Sequence, residues 1–293
     1  MIKTLRLFVL ILLCCGLVSA QTLPTSAVGS LDRIINVDVP NFTQTQVRGI
    51  NSFGEVVGIY RDTDSVTHGF LLSYGVLTLL DFPGAAQTLP RGINDQGVIV
   101  GMFLDSADVY HGFVRQVSGQ YSQVDYPGAL YTAFRGINNR GQIVGDFGDQ
   151  NGNNIHGFVL TGSKYTLFDY PGTVDTQGYG INDSGLIVGS YSNDDGVTLH
   201  GYIYRRGLFT PFDVAGATST ELLGLNNLGQ IVGYSADNTT IHAILIQKGS
   251  VKIVDPPGAT LAFGRAINGL GVIGGNFNDA DGNLHGFVSI PNQ

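Results

Sequence analysis

Apolar positions along this 293-residue chain fall in short runs, four to a unit, and the unit recurs about every 44 residues. In the third unit the runs are FRGIN, GQIVGDF, HGFVL and KYTLFDY, separated by NRG, DQNGNN, TGS and PGTVDT. The runs are rich in Ile, Val, Phe and Tyr, and the separators in Gly, Asn and Asp. These are the residue preferences of short strands and of the turns between them. One strand and its turn take ~11 residues, as in short antiparallel strands. No segment carries a helical period.

Three motifs mark the period. The Asn of a Gly-Ile-Asn element stands at Asn51, Asn94, Asn138, Asn182, Asn226 and Asn268, in steps of 43, 44, 44, 44 and 42. All six histidines fall in a second element, at His68, His111, His156, His200, His242 and His285. An Asp-x-Pro-Gly element begins at Asp81, Asp125, Asp169 and Asp255, with the variants DVAG at Asp213 and DVPN at Asp38. A four-strand repeat of this length matches one β-propeller blade, ~40–45 residues. The last unit stops after HGFVSI and lacks a fourth strand, whereas RIINVDVP, residues 33–40, is a fourth strand without a unit. The spacing therefore predicts an all-β, six-bladed propeller of four-stranded antiparallel blades. Its N-terminal strand pairs with the last blade and hides both edges. Gly54, Gly97, Gly141, Gly185, Gly229 and Gly271 sit in the turn after the Asn, where a positive φ is expected. Gly58, Gly101, Gly145, Gly189 and Gly233 close an I-V-G run, and packing of the next blade's sheet is the expected cause.

At these motifs the chain resembles the bacterial extracellular HAF-repeat family, whose unit joins an I-N-x-x-G-x-[VI]-V-G element to a His-Ala-Phe element. Here the second element reads mostly HGF or HGY, and only His242-Ala243-Ile244 carries the Ala. The resemblance spans essentially all of the expected mature chain and implies a repeat fold. It brings no common activity, and propellers host unrelated functions.

The first twenty residues read as a secretory leader. Lys3 and Arg6 precede an apolar run, Leu7 to Val18, and Val18-Ser19-Ala20 offers cleavage after Ala20. A lipidated Cys14 or Cys15 would follow the bulky Leu13, which disfavours that alternative. The expected organisation is residues 1–20 as signal peptide, 21–30 as linker and 31–293 as propeller. Both cysteines leave with the leader, so no disulfide holds the mature chain. Cleavage also removes two of the 15 basic residues, leaving 13 against 23 acidic ones and a net charge of −10. That balance argues against nucleic acid or an anionic membrane as partner. A secreted or periplasmic monomer is the expectation.

The candidate chemistry lies where blades differ or converge. The histidines sit on the third strand, ~17 Å from the axis at ~4.8 Å per strand, too far apart to share a metal. A structural hydrogen bond is expected for each. The position before Gly-Ile-Asn holds Arg48, Arg91, Arg135, Tyr179, Leu223 and Arg265. Neighbours there lie ~7 Å apart around the axis and could converge on a carboxylate, phosphate or uronic-type sugar. Alternatively, each Arg pairs with the nearby Asp of Asp-x-Pro-Gly as a staple. The loops between second and third strands are acidic, and NDADGN places Asp279, Asp281 and Asn283 like a calcium loop. It lacks the distal Glu, and the Asp-Gly pair is also a hairpin turn. No other cofactor is indicated. Glu221 departs from the repeat, where other units have Gln46, Leu89, Ala133 or Gln177, and is the one candidate general acid or base.

Two functions remain open. One is a binding or scaffolding module for a glycan, an anionic small molecule or a protein on the loop face. The other is a carbohydrate-active or ester-hydrolysing enzyme with its site in the central channel. An enzyme needs a deep polar pocket of non-repeated residues with perturbed carboxylates. A binding module needs quasi-symmetric sites or a broad exposed patch.

Overall fold

The computed structural model describes residues 33–292 apart from 43, 153 and 194–197, so the expected signal peptide, 1–20, and linker, 21–30, lie outside the described residues. Among the described residues are 24 strands and no helix, hence no helix long and apolar enough to cross a membrane. The first strand, β1 (Arg33–Val37), belongs to the last blade. Blade one is β2 (Gln44–Ile50), β3 (Val56–Arg61), β4 (Thr67–Ser73) and β5 (Val76–Leu80). Blade two is β6 (Gln87–Ile93), β7 (Ile99–Leu104), β8 (Tyr110–Arg115) and β9 (Tyr121–Gln123). Blade three is β10 (Tyr131–Ile137), β11 (Ile143–Gly148), β12 (Ile155–Thr161) and β13 (Lys164–Phe168). Blade four is β14 (Asp175–Ile181), β15 (Ile187–Ser192), β16 (Leu199–Arg205) and β17 (Leu208–Phe212). Blade five is β18 (Ser219–Leu225), β19 (Ile231–Ala236), β20 (Ile241–Gln247) and β21 (Ser250–Ile253). Blade six is β22 (Leu261–Ile267), β23 (Ile273–Asn278), β24 (Leu284–Ile290) and then β1. β1 lies antiparallel to β24, with Arg33 opposite Ile290 and Val37 opposite Gly286. The expected six-bladed ring is the observed architecture.

There is no central core. Apolar side chains gather in the gaps between blades. Val57 and Leu80 of blade one pack with Ile93, Ile99, Phe103 and Phe113 of blade two. Val100 of blade two packs with Phe134, Phe147 and Phe158 of blade three. At the closure, Val39 and Val288 pack with Val47, Tyr60 and Phe70. Each blade thus has two buried faces, which is why its inner strands read as continuous apolar runs.

Polar repeats stitch the gaps. Each Asn of the Gly-Ile-Asn element is buried, and its Nδ2 donates to the backbone carbonyl of the same Asn in the next blade. The chain of bonds runs Asn51 to Asn94 (3.2 Å), Asn94 to Asn138 (3.2 Å), Asn138 to Asn182 (3.0 Å), Asn182 to Asn226 (3.2 Å) and Asn226 to Asn268 (2.9 Å). Asn268 then donates to the Asn51 carbonyl at 2.9 Å, closing a circle. Each Oδ1 accepts from two backbone N–H groups of its own turn, as Asn138 does from Arg140 (3.0 Å) and Gln142 (2.9 Å). One side chain therefore shapes the turn and grips the neighbour. A second stitch runs from the residue after the Asp-x-Pro-Gly aspartate to a buried Thr of the next blade. Val39, Phe82, Tyr126, Tyr170 and Val214 donate their N–H to Thr45, Thr88, Thr132, Thr176 and Thr220 at 2.8–3.0 Å.

All six histidines take the structural role expected. Each Nδ1 lies 2.6–3.1 Å from the Asp-x-Pro-Gly carboxylate of its own blade, including His285 with Asp38 across the closure. Five of the rings also face an aromatic of the second strand, as His111 does Phe103. Burial lowers the His68, His111 and His285 imidazoles, but their two carboxylate partners reverse this and hold them above the ordinary value.

The turn glycines adopt positive φ, 74–79°, at all six predicted positions. The I-V-G glycines have a different cause from the one expected. A Cβ on Gly145 would lie 2.1 Å from the Ala133 carbonyl oxygen of its own blade, at the bulge in β10, and 2.9 Å from Phe158. The close approach between blades falls instead on the Gly of Arg-Gly-Ile, where a Cβ on Gly136 would lie 2.6 Å from the Tyr179 carbonyl oxygen of the next blade. Asn138→Ala should cost about 3 kcal/mol, since it leaves a buried carbonyl and two backbone N–H groups without partners. Urea unfolding of wild type and variant measures it.

Candidate functional site

The inner strands β2, β6, β10, β14, β18 and β22 run side by side along the axis. From the loop face inward, each presents the position of Gln46, then that of Arg48, then that of Ile50. The tunnel they enclose is therefore layered. Ile50, Ile93, Ile137, Ile181, Leu225 and Ile267 form an apolar collar. On the far side of the collar is a shallow polar mouth, where Asp95, Asn139, Asp183 and Asn227 bond to one another's backbone N–H and side chains. On the near side, Arg48, Arg91, Arg135, Tyr179, Leu223 and Arg265 line the tunnel together. All five ligand-binding candidates read from the sequence thus meet in one ring.

The four guanidiniums are not equivalent. Arg135 makes a two-pronged ion pair with Asp146, Nε to Oδ1 at 2.7 Å and Nη2 to Oδ2 at 3.2 Å, and Asp146 is wholly buried. Burial would lower this guanidinium, but the adjacent carboxylate holds it above its ordinary value. Arg135 also lies over the Tyr179 ring, 5.4 Å from the centroid. Arg265 donates Nε to Asn276 Oδ1 at 3.0 Å and stacks on Phe263 at 4.4 Å. Arg48 donates Nη2 to Gln46 Oε1. Neither Arg48 nor Arg91 has a carboxylate partner among the described residues, and the Nε of each is buried without a hydrogen bond. Burial, then the surrounding arginines, push Arg91 down to about 9 and Arg48 well below its ordinary value. Arg91 still carries its charge at neutral pH. The alternative staple, Arg to the Asp of Asp-x-Pro-Gly, does not form, because those carboxylates hold the histidines.

Glu221 is buried in blade five, directly across the hairpin from Tyr234. Burial raises its carboxyl above the ordinary range, against the pull of Arg265 and Arg135. It does not line the void at the arginine ring. Sequence reading singled out Glu221 but missed the facing column on the second strand. Across the hairpins, Ile59, Met102, Asp146, Ser190, Tyr234 and Asn276 oppose Gln46, Leu89, Ala133, Gln177, Glu221 and Phe263. These two columns and the arginine column differ from blade to blade, while their surroundings repeat. The signal was present in the repeats once aligned, as the position following I-V-G.

The calcium-loop candidates serve their own turn. Asp279 Oδ1 accepts from the N–H of Asp281 (2.9 Å) and Asn283 (2.8 Å). Its Oδ2 lies 3.0 Å from Asn283 Nδ2 and 3.2 Å from His285 Nε2. Among the described residues no group of three or more His, Cys, Asp or Glu is placed to hold a metal ion.

No family model matches the chain, and no curated protein matches it. Solved structures do. The Aleuria aurantia lectin, described as a six-bladed β-propeller with a novel fucose recognition mode, aligns at a TM-score of 0.51 and 14% identity, over 84% of this chain and 91% of that one. A putative gluconolactonase aligns at 0.52 and 14% identity, over 90% and 96% of the two chains. TolB from Acinetobacter baumannii aligns at 0.56 and 13% identity, over 85% and 64%. At such identities the likeness shows the shared propeller fold.

The inequality of the arginines is measurable. Arg135→Ala strands the buried Asp146 carboxylate and should destabilise by about 3–5 kcal/mol. Arg91→Ala removes an unpaired buried charge and should leave stability unchanged or higher. Parallel denaturant titrations distinguish the two.

Proposed function

We propose that this chain is an exported propeller that acts as a binding module, with the axial arginine ring as its ligand site and an anionic small molecule, or the anionic group of a glycan, as ligand. The observation that carries the reading is the pair Arg48 and Arg91, whose Nε atoms are buried without a hydrogen bond and which meet no acid among the described residues. A buried charge without a partner costs several kcal/mol, and an oxyanion accepting from both guanidiniums would offset that cost. Tyr179 and Leu223 on the opposite arc give the ligand's uncharged part an apolar wall. The fucose-binding lectin among the neighbours supports the idea that this scaffold suits ligand capture, though fold alone names no ligand. On this reading the protein works outside the cytoplasm as a monomer.

A ligand that binds only the folded state raises the melting temperature with its concentration. Phosphate, sulfate and short dicarboxylates are therefore expected to raise Tm. Arg91→Ala is expected to abolish the rise while leaving the fold intact. Neutral sugars raising Tm equally in both proteins would remove the arginine ring from the reading.

A second reading rests on Glu221, a buried carboxyl held above its ordinary range beside Tyr234 and within the field of Arg265. Such a group is poised as a general acid in an ester- or glycoside-cleaving site. If it is, Glu221→Gln lowers turnover of aryl ester, lactone or aryl glycoside substrates at least 100-fold with KM little changed. Turnover by the variant equal to wild type removes the reading.

A further inference from the structure

The charge balance and the size of the tunnel narrow the ligand further, on the premise that the arginine ring is the binding site. Four guanidiniums face the near section, and Asp146 and Glu221 are the carboxylates that act most on them. Asp146 is committed to Arg135 by two hydrogen bonds. Glu221 lies in blade five, and its field acts on Arg265 and Arg135. Arg48 and Arg91, on adjacent blades, are therefore left without a carboxylate in hydrogen-bond contact, and only the more distant Asp146 acts on Arg91.

The space beside them is small. The void at the guanidinium level is about 40 Å³, and the one reaching down to the collar is about 90 Å³. Small-molecule pockets usually span ~300–1,000 Å³, several times either void. A whole sugar ring does not fit. The collar of Ile50, Ile93, Ile137, Ile181, Leu225 and Ile267 gives the section an apolar floor, which disfavours passage of a hydrated ion to the far mouth.

We propose that the ring is built for a compact oxyanion carrying two negative charges, seated against Arg48 and Arg91 above the isoleucine collar. Phosphate, sulfate and a short dicarboxylate share this chemistry, as does the phosphate or sulfate tip of a larger molecule held outside the tunnel. Tetrahedral and planar oxyanions both accept paired N–H bonds from guanidinium, so charge and size, rather than shape alone, set the selection.

The test compares anions by calorimetry and thermal shift at fixed ionic strength and at a pH where phosphate is mainly doubly charged. The probes are phosphate, sulfate and oxalate against chloride, formate and acetate, with glucose 6-phosphate as the arm that reports a tethered tip. The doubly charged anions should bind at least tenfold more tightly than acetate. If glucose 6-phosphate binds as well as phosphate, the tip of a larger molecule is the natural occupant; if it is excluded, the free ion is. Arg91→Leu copies the residue that blade five already carries at Leu223, so it should fold. It should melt higher than wild type without anion and lose at least tenfold in affinity for phosphate. Equal affinity for acetate and phosphate would overturn the two-charge assignment while leaving anion binding intact. Absence of binding by every anion would overturn both. A lower melting temperature for Arg91→Leu without anion would show that the two charges do not repel, and would also overturn the assignment.

Discussion

The circle of six asparagines is the constraint on which the other features rest. Side-chain amide to backbone carbonyl, repeated six times and returning to its start, fixes where each inner strand ends relative to the next. Because each Asn Oδ1 also holds its own hairpin turn, a blade cannot tilt without breaking bonds in two places. The bonds are buried, so water cannot replace them, and each is worth more to the fold than an exposed equivalent. With the strand ends pinned, the Arg-Gly-Ile glycines can bring neighbouring backbones to a separation that leaves no room for a Cβ at Gly136.

A scaffold held by its repeated residues leaves other positions free to differ. The columns of Gln46, Arg48 and Ile59, each read across six blades, carry carboxylates, amides, phenols and alkyl groups in no repeating order. They lie together near the axis, between the loop face and the collar. A symmetric ring thus encloses an asymmetric polar interior. Buried charge is tolerated there because the apolar gaps and the polar stitches stabilise the fold elsewhere. Sites of this kind are expected where local rules are broken and the surroundings are over-determined.

Much of this was legible in the order of residues. The period gave the blade, and the missing strand after Ile290 matched the unpartnered one at Arg33. The histidines were correctly assigned to the scaffold because a residue far from the axis and present in every blade has no partner for metal chemistry. The arginine ring followed from strand order alone. What escaped was pairing across the hairpin. Arg135 and Asp146 are eleven positions apart, and the bulge between Phe134 and Gly136 decides what faces what. The linear sequence shows the acid of Asp-x-Pro-Gly more plainly, so that pairing was the natural alternative. Asn138 and its equivalents escaped for another reason. Asn before a tight turn has a sufficient local explanation, and its second bond, to the neighbouring blade, leaves no mark in the repeat itself.

The closure strand has a mechanical consequence. Arg33 pairs with Ile290 and Val37 with Gly286, so the chain enters and leaves the ring at the same end of one antiparallel pair. Tension applied between the two termini falls on the Arg33–Ile290 pair first and then on each pair in turn, peeling the ladder rather than shearing it. The five remaining blades share no such seam. Under load the ring therefore has one place to open, and releasing β1 exposes the edge of β24 while the Asn circle, on the inner strands, still holds.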